Sequence, residues 1–313
     1  MGPSKRYTDF NTYLKNKFGC RVQKVSLDAG LTCPNRDGTL SGGGCIYCNA
    51  RGSGTGAHAR GLSITAQLLA GKAALARRYK AKKFIAYFQS FSNTYGSLSR
   101  LKKLYDEALA VAGVVGLSIG TRPDCIDDRV LDLLAGYADR HAVWVELGLQ
   151  SAHDATLRLI NRGHDAACFQ EAAIAAKARG LDVCAHVILG LPQETCTHVH
   201  ATARFLAALP VVGVKLHLLY VVRGTPLERL YRRGAYGCLS QAAYVELVCD
   251  FLERLPARVV IQRLTGDPHP SELVAPMWSL RKRDTLAMIH TTLEKRNSWQ
   301  GKHLGHRWTQ AGR

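Results

Sequence analysis

No window of this sequence approaches the apolar length of a membrane span, so no transmembrane helix is expected. The stretch Met1-Gly-Pro-Ser-Lys-Arg-Tyr7 lacks the apolar region of a secretory signal, and a cytoplasmic setting is the expectation. There is no internal repeat, low-complexity tract or long linker. No glycine-rich phosphate fingerprint follows the first predicted strand, which argues against an open dinucleotide-binding sheet. Acidic residues are scarce. There are 24 Asp and Glu against 42 Lys and Arg, a net charge of +18.

That imbalance implies attraction to a polyanion. The basic residues cluster, first in Arg77-Arg78-Tyr79-Lys80-Ala81-Lys82-Lys83. A second cluster runs over residues 281–313, with eight Lys and Arg against two acids. A merely solvated, highly soluble surface is the alternative. At 313 residues, 47% hydrophobic and 21% charged, the chain can build one large core, with or without an appendage. Its ten cysteines are irregularly placed, as expected of reduced thiols, some of them holding a metal or cluster.

Hydrophobic patterning alternates strand and helix. Strands are expected at 22–28, 83–89, 114–120, 142–148, 181–189 and 213–219, and a further one near 259–262. Helices are expected at 63–79, 98–111, 126–137, 166–179, 194–208 and 241–255, with another centred on 280–296. This order predicts an α/β fold with a parallel sheet, and a full or partial (β/α) barrel in particular. The distinctive polar residues fall at several strand ends, where barrels collect their chemistry.

The most informative stretch is Cys33-Pro-Asn-Arg-Asp-Gly-Thr-Leu-Ser-Gly-Gly-Gly-Cys45-Ile-Tyr-Cys48, spaced C-x11-C-x2-C. Two intervening residues let the Cys45 and Cys48 sulfurs converge on one centre. Gly42, Gly43 and Gly44 supply the backbone freedom to wrap something bulky. Three thiolates on a [4Fe–4S] cluster would leave one iron open for a ligand. A four-cysteine zinc site with Cys20 as fourth ligand is the alternative.

This loop resembles the cluster loop of the radical S-adenosylmethionine (SAM) superfamily, in which three cysteines hold the cluster and SAM chelates the fourth iron. The superfamily's usual spacing is C-x3-C-x2-C. The wide gap here, with Cys-Pro-Asn-Arg-Asp-Gly, resembles a narrower group related to the Elongator catalytic subunit. Thr121-Arg-Pro-Asp124, Gln150-Ser151 with Asn161-Arg-Gly-His164, Gly190-Leu-Pro-Gln-Glu-Thr195 and Arg223-Gly-Thr225 extend the resemblance over nearly the whole chain. It implies a partial (β/α)6 TIM-like barrel over 1–265 and a basic extension over 266–313 that packs on the core.

The resemblance also implies roles. Cys33, Cys45 and Cys48 hold the cluster. Tyr47 packs near the adenine of SAM, as does Ile188. Gln89 and Ser90 stand where the superfamily binds the SAM amino group. Gln150 and Ser151 lie near the ribose, and Arg162 holds the methionine carboxylate. Glu146 shares a strand face with Gly148, so it lies inside the barrel with a partner or beside the cofactor. Arg122 and His186 are the catalytic candidates. Arg122 could instead be tied to Asp124 or Asp128, and His186 could be a satisfied core histidine.

The implied chemistry is reductive cleavage of SAM to a 5′-deoxyadenosyl radical, fed by an electron donor such as flavodoxin or ferredoxin. Elongator-like relatives act on the C5 side chain of a wobble uridine in tRNA, so tRNA or another RNA is the expected substrate. Trp299, read as exposed from its polar setting, could stack on a base or pin the tail. A radical SAM enzyme acting on a protein or small metabolite, and a zinc-stabilised RNA-binding protein, are the other readings.

Overall fold

The computed structural model describes residues 6–49, 52 and 56–305. Residues 1–5, within the N-terminal stretch read above, and Arg307 and Arg313 of the basic tail lie outside the described residues. In chain order the elements are α1 (Phe10–Phe18), β1 (Val22–Leu27), α2 (Ile64–Tyr79), β2 (Lys83–Phe88), α3 (Leu98–Leu109) and β3 (Val114–Thr121). Then come α4 (Asp128–Ala138), β4 (Ala142–Gln150), α5 (Asp154–Leu159), α6 (Ala166–Ala178), β5 (Asp182–Leu189), α7 (Cys196–Ala207) and β6 (Gly213–Leu218). The chain ends with β7 (Val221–Val222), α8 (Pro226–Arg232), α9 (Gln241–Glu253), β8 (Val260–Arg263), β9 (Leu273–Ala275) and α10 (Lys282–Lys295).

The main sheet runs β1-β2-β3-β4-β5-β6-β8, and every neighbouring pair is parallel. It is one strand larger than the six-stranded barrel implied above, because the 259–262 stretch does join it. Strands β1 and β8 remain edges, so the barrel is partial. Its continuous apolar runs are those of a sheet covered on both faces. In β4 all nine residues are buried.

Local chemistry sets most boundaries. Ser63 caps α2 by accepting from the Ala66 N–H, and Gly180, at φ 75°, ends the turn after α6. Helix α4 starts two residues later than the periodicity predicts, because the Asp127 carboxylate accepts from the Val130 N–H and caps it there. Helix α7 likewise starts after Thr195, whose N–H donates to His198 Nδ1 at 3.2 Å.

The N-terminal segment closes one end of the barrel. The Ile261 N–H donates to the Thr8 carbonyl at 2.8 Å, laying the segment along the β8 edge. Phe10 and Tyr13 of α1 meet the buried Trp144 ring edge-on, with centroids 5.7 and 5.8 Å away. The open end is therefore the one at the carboxyl ends of the strands.

The tail is pinned at the closed end. Gln300 is buried, donates to the Pro256 and Val259 carbonyls at 2.7 and 2.8 Å, and accepts from the Thr8 N–H at 3.0 Å. Trp299 is half-buried rather than exposed, with the Lys302 ammonium 5.4 Å from its ring centroid. Tail pinning is the reading this placement favours over base stacking. The 77–83 basic block also lies at the amino end of the sheet, between α2 and β2. Among the described residues no helix is long and apolar enough to cross a membrane.

Candidate active site

The loop after β1 is folded by hydrogen bonds to the end of α5. Gly43 and Gly44 take φ of 83° and 81°, a region open to glycine, and turn the chain back. The Gly44 N–H donates to the Asn35 carbonyl at 2.8 Å, and the Gly44 carbonyl accepts from Asn161 Nδ2 at 2.9 Å. The Ile46 N–H donates to the Ile160 carbonyl at 3.1 Å. Asn35 is 1% exposed and donates to the carbonyls of Asn161 and Arg162. The cysteine loop and the Asn-Arg-Gly-His turn, far apart in sequence, are thus one packed unit.

Within it Cys45 is buried, and its sulfur receives two donors: Asn35 Nδ2 at 3.7 Å and Arg162 Nη1 at 3.8 Å. A hydrogen bond from the Cys48 thiol and the Arg162 cation hold the Cys45 thiol well below its ordinary range, against the opposing effect of burial. The same hydrogen bond, with burial, raises Cys48. All ten cysteines are free. Cys20 stands before β1 and the loop after it. Six strand residues, roughly 20 Å of rise, separate Cys20 from Cys33, Cys45 and Cys48 and remove it as a fourth ligand.

A cavity of about 610 Å³ opens at the carboxyl ends of the strands. It is lined by Cys33, Cys45, Cys48, Tyr47, Gln89, Arg122, Glu146, Gln150, Arg162, His186 and Ile188, all expected from sequence. Ser90 and Ser151 are not part of the lining. Ser90 is 1% exposed beneath Gln89, and Ser92 reaches the wall instead. Ser151 turns away and donates to Glu194, so the resemblance to a ribose-side serine is not matched by its orientation. Arg122 combines both readings. Its Nε and Nη2 donate to Asp124 at 2.8 and 2.6 Å, while Nη1 is buried without a partner. Arg162 is engaged through each of its three nitrogens, donating to His164 at 2.8 Å and the Gly148 carbonyl at 3.0 Å as well as to Cys45.

Below these residues lies a polar layer inside the barrel. Glu146 is 1% exposed. One carboxylate oxygen accepts from Lys24 and Ser118, and the other from Lys215 and, at 2.7 Å, from His186. Its four acceptor positions are filled by the protein, so Glu146 anchors this layer rather than meeting a cofactor. Burial would raise its pKa, but Lys215 and Lys24 hold it well below the usual range. Burial and the neighbouring Lys24 lower Lys215 to about 7, although Glu146 opposes this. Burial and Lys215 lower His186 to about 4, so it is neutral at pH 7.

Residues 33–206 match the radical SAM superfamily, and residues 211–295 match the radical SAM C-terminal domain. This chain belongs to the radical SAM superfamily. It is 44% identical to the Bacillus subtilis (strain 168) protein YtqA over 298 residues, 95% of this chain and 92% of that one. It is 37% identical to the Escherichia coli (strain K12) protein YhcC over 300 residues, 96% of each. Elongator complex protein 3 of Danio rerio is 34% identical over 157 residues, 49% of this chain but 28% of that longer one. Among solved structures, Methanocaldococcus infernus Elp3 with an N-terminal deletion superposes with a TM-score of 0.68 at 17% identity, covering 89% of this chain and 64% of that one. Methylornithine synthase superposes with a TM-score of 0.51 at 15% identity, covering 95% and 86%. At such identities the two structures establish the shared partial-barrel fold.

Radical SAM proteins use a [4Fe–4S] cluster and SAM. The residues present fit both. Three free thiols share one wall, and cationic and amide donors at Cys45 suit a thiolate bound to a metal cluster. The cavity volume lies within the range of ~300–1,000 Å³ usual for cofactor sites. The unpartnered Arg122 Nη1 at its wall also calls for an acceptor.

Sequence reading missed Lys24, Lys215, His217 and Arg263. The signal was present for two of them. In Gly213-Val-Lys-Leu-His-Leu218 a lysine and a histidine recur every second residue, placing both on one face of an otherwise apolar strand. Lys24 and Arg263 sit in strands whose mixed polarity hides which face is inward. The loop after β8 was missed too: Asp267, His269 and Glu272 line the cavity, so the stretch beyond 265 contributes to the site.

Proposed function

We propose that this radical SAM protein acts on the C5 side chain of a tRNA wobble uridine, removing or converting a carboxymethyl-type group. The observation that carries the reading is a basic rim beside the cavity. Arg223, Arg229 and Arg233 are exposed around α8, and α8 abuts the cysteine loop through the Leu227 N–H donating to the Ile46 carbonyl at 2.9 Å. A polyanion lying over this rim brings one base to the cavity mouth. The likeness to Elongator complex protein 3 supports the same substrate class.

In this reading Cys33, Cys45 and Cys48 hold the cluster, and Asn35 and Arg162 steady the Cys45 sulfur. When bound, the cluster and SAM supply a 5′-deoxyadenosyl radical that abstracts hydrogen. Tyr47 and Ile188 form the apolar side of the SAM site, and Gln89, Gln150 and Arg122 its polar side. Arg122 Nη1, which has no partner, rather than Arg162, whose three nitrogens each already donate, is the donor for a carboxylate there. His186 faces the cavity as a neutral imidazole held by Glu146 and positions the substrate. Ten free thiols and a reducible cluster suit the cytoplasm, with flavodoxin or ferredoxin as donor.

The test has two parts. Anaerobic reconstitution with iron and sulfide should give a dithionite-reduced EPR signal that SAM perturbs and that Cys45→Ala lacks. Nucleoside profiles of tRNA from a deletion strain should show an altered wobble uridine. Colourless, zinc-bearing protein refutes the cluster assignment, and an unchanged profile refutes the substrate.

A further inference from the structure

The barrel interior carries more positive charge than it balances. Lys24, Lys215 and Arg263 all project into it from β1, β6 and β8. Glu146 pairs with both lysines. Among the described residues no carboxylate pairs with Arg263, and no acceptor takes a hydrogen bond from its guanidinium. Three cations therefore face one carboxylate; Lys215 is 3% exposed, and Lys24 and Arg263 are half-buried. Such a surplus is costly away from water unless an anion completes it.

Arg263 occupies a particular place. It lines the mouth cavity, and it also lines a second cavity of about 400 Å³ between the edge strands β1 and β8. Tyr87 is the other residue common to the two. The half-buried guanidinium thus stands where the lumen meets the lateral opening of the partial barrel. Close by, His217 Nε2 is buried without a partner, and the His217 ring lies 5.2 Å from that of His186. At that junction the unmatched guanidinium has the unpaired His217 nitrogen on the mouth side and Lys215, which shares its carboxylate, on the lateral side. That the Lys215 ammonium is held near neutrality agrees with a missing counter-charge.

We propose that this space binds a compact anionic group of the substrate, a carboxylate, gripped by Arg263 and backed by Lys215, with His217 hydrogen-bonding to it. A planar guanidinium fork matches a carboxylate with two parallel hydrogen bonds. The two cations of the site, Lys215 and Arg263, pair in register with each other two residues deeper than Ile188, the level of His217. The site therefore selects the substrate side chain rather than SAM. The inference rests on the wobble-uridine reading above and names the feature of the side chain that is recognised.

The test is calorimetric binding of 5-carboxymethyluridine and its neutral isostere 5-carbamoylmethyluridine to anaerobically reconstituted, SAM-loaded protein. The acid should bind at least tenfold more tightly than the amide. Arg263→Gln should reduce that ratio to near one, and Arg263→Lys should restore part of it, with both variants melting as cooperatively as the parent. Inorganic phosphate should displace the acid only at a concentration at least tenfold above that of the acid. Equal affinity for acid and amide, no measurable binding of the acid, a ratio untouched by Arg263→Gln, or displacement by equimolar phosphate each overturns the proposal. Formation of 5′-deoxyadenosine by the parent protein, measured alongside, reports separately on the radical SAM reading. The deletion-strain tRNA profile reports separately on the wobble uridine.

Discussion

Replacing Glu146 by glutamine keeps the shape of the side chain and removes the charge that serves one buried and one half-buried ammonium group. Lys24 and Lys215 both donate to this carboxylate, and its side chain is fully shielded from solvent. Leaving buried charges unpaired costs about 3–5 kcal/mol. The Lys215 value of about 7 decides where in that range the cost falls. Without Glu146 that value drops further, so Lys215 sheds its proton in the folded protein at pH 8 and the loss stays near the lower end. At pH 5.5 the parent holds Lys215 protonated while the variant must either bury an unpaired ammonium or release its proton. The unfolded chain binds that proton in both, so the variant alone gains stability as pH rises from 5.5 toward 7. The melting temperature should fall by about 5 °C at pH 8 and by more at pH 5.5. Adding Lys215→Met should recover part of the loss, because a neutral pair replaces a broken one. Thermal melts of the three proteins at both pH values measure this. A Glu146→Gln shift below about 2 °C at both pH values refutes the buried network.

Four further outcomes are expected. His186→Gln should flatten the acid limb of stability: the folded imidazole stays neutral down to about 4, so stability is lost as pH falls from 6.5 to about 4, by about 3 kcal/mol, in urea titrations of the parent alone. Asn35→Ala should cost about 1–3 kcal/mol and lower the iron bound after reconstitution, since it unties the cysteine loop from the Asn161 and Arg162 carbonyls. Gly148→Ala should weaken SAM binding, read by equilibrium dialysis, because its Cβ would stand 2.5 Å from Arg162 Nη2 and 2.6 Å from Gln150 Nε2. Charge removal at Arg229 and Arg233 should weaken tRNA binding and lower its salt dependence by about 0.7–0.9 in log–log slope for each phosphate no longer neutralised, while Arg77→Gln should leave the slope alone.

Much of this protein could be read before its structure. Every strand of the main sheet corresponds to an expected stretch: the inner strands are largely apolar because both their faces are covered, while the edge strands β1 and β8 carry polar residues as well. The three cysteines were legible too. Cys45 and Cys48, two residues apart in a glycine-rich loop, suit one metal centre by spacing alone, whereas Cys33, across an eleven-residue gap, was marked by the resemblance. Arg122 was ambiguous and remains double in the structure, with one edge on Asp124 and one nitrogen at the cavity wall. Trp299 was misjudged as exposed because its neighbours in sequence are polar. Its neighbours in space include the closed end of the barrel, which only folding supplies. Ser151 was placed by the resemblance of its motif, which does not report that its hydroxyl turns to Glu194.

By itself the sequence determined the order of elements, the parallel α/β architecture and the thiol loop, because these follow from local periodicity and from side chains close together in the chain. It also fixed the large positive charge, though not its geography. Tertiary structure decided that the 77–83 block faces away from the cavity while the α8 arginines border it. It tied Asn35 and Arg162 to the cysteine loop, and it gathered Lys24, Glu146, His186, Lys215 and Arg263 from five strands into one layer. Those contacts join residues up to 127 positions apart, as between Asn35 and Arg162. No pattern within a window reports them. They depend on how seven strands curl, and curvature is a property of the packed sheet rather than of any segment in it.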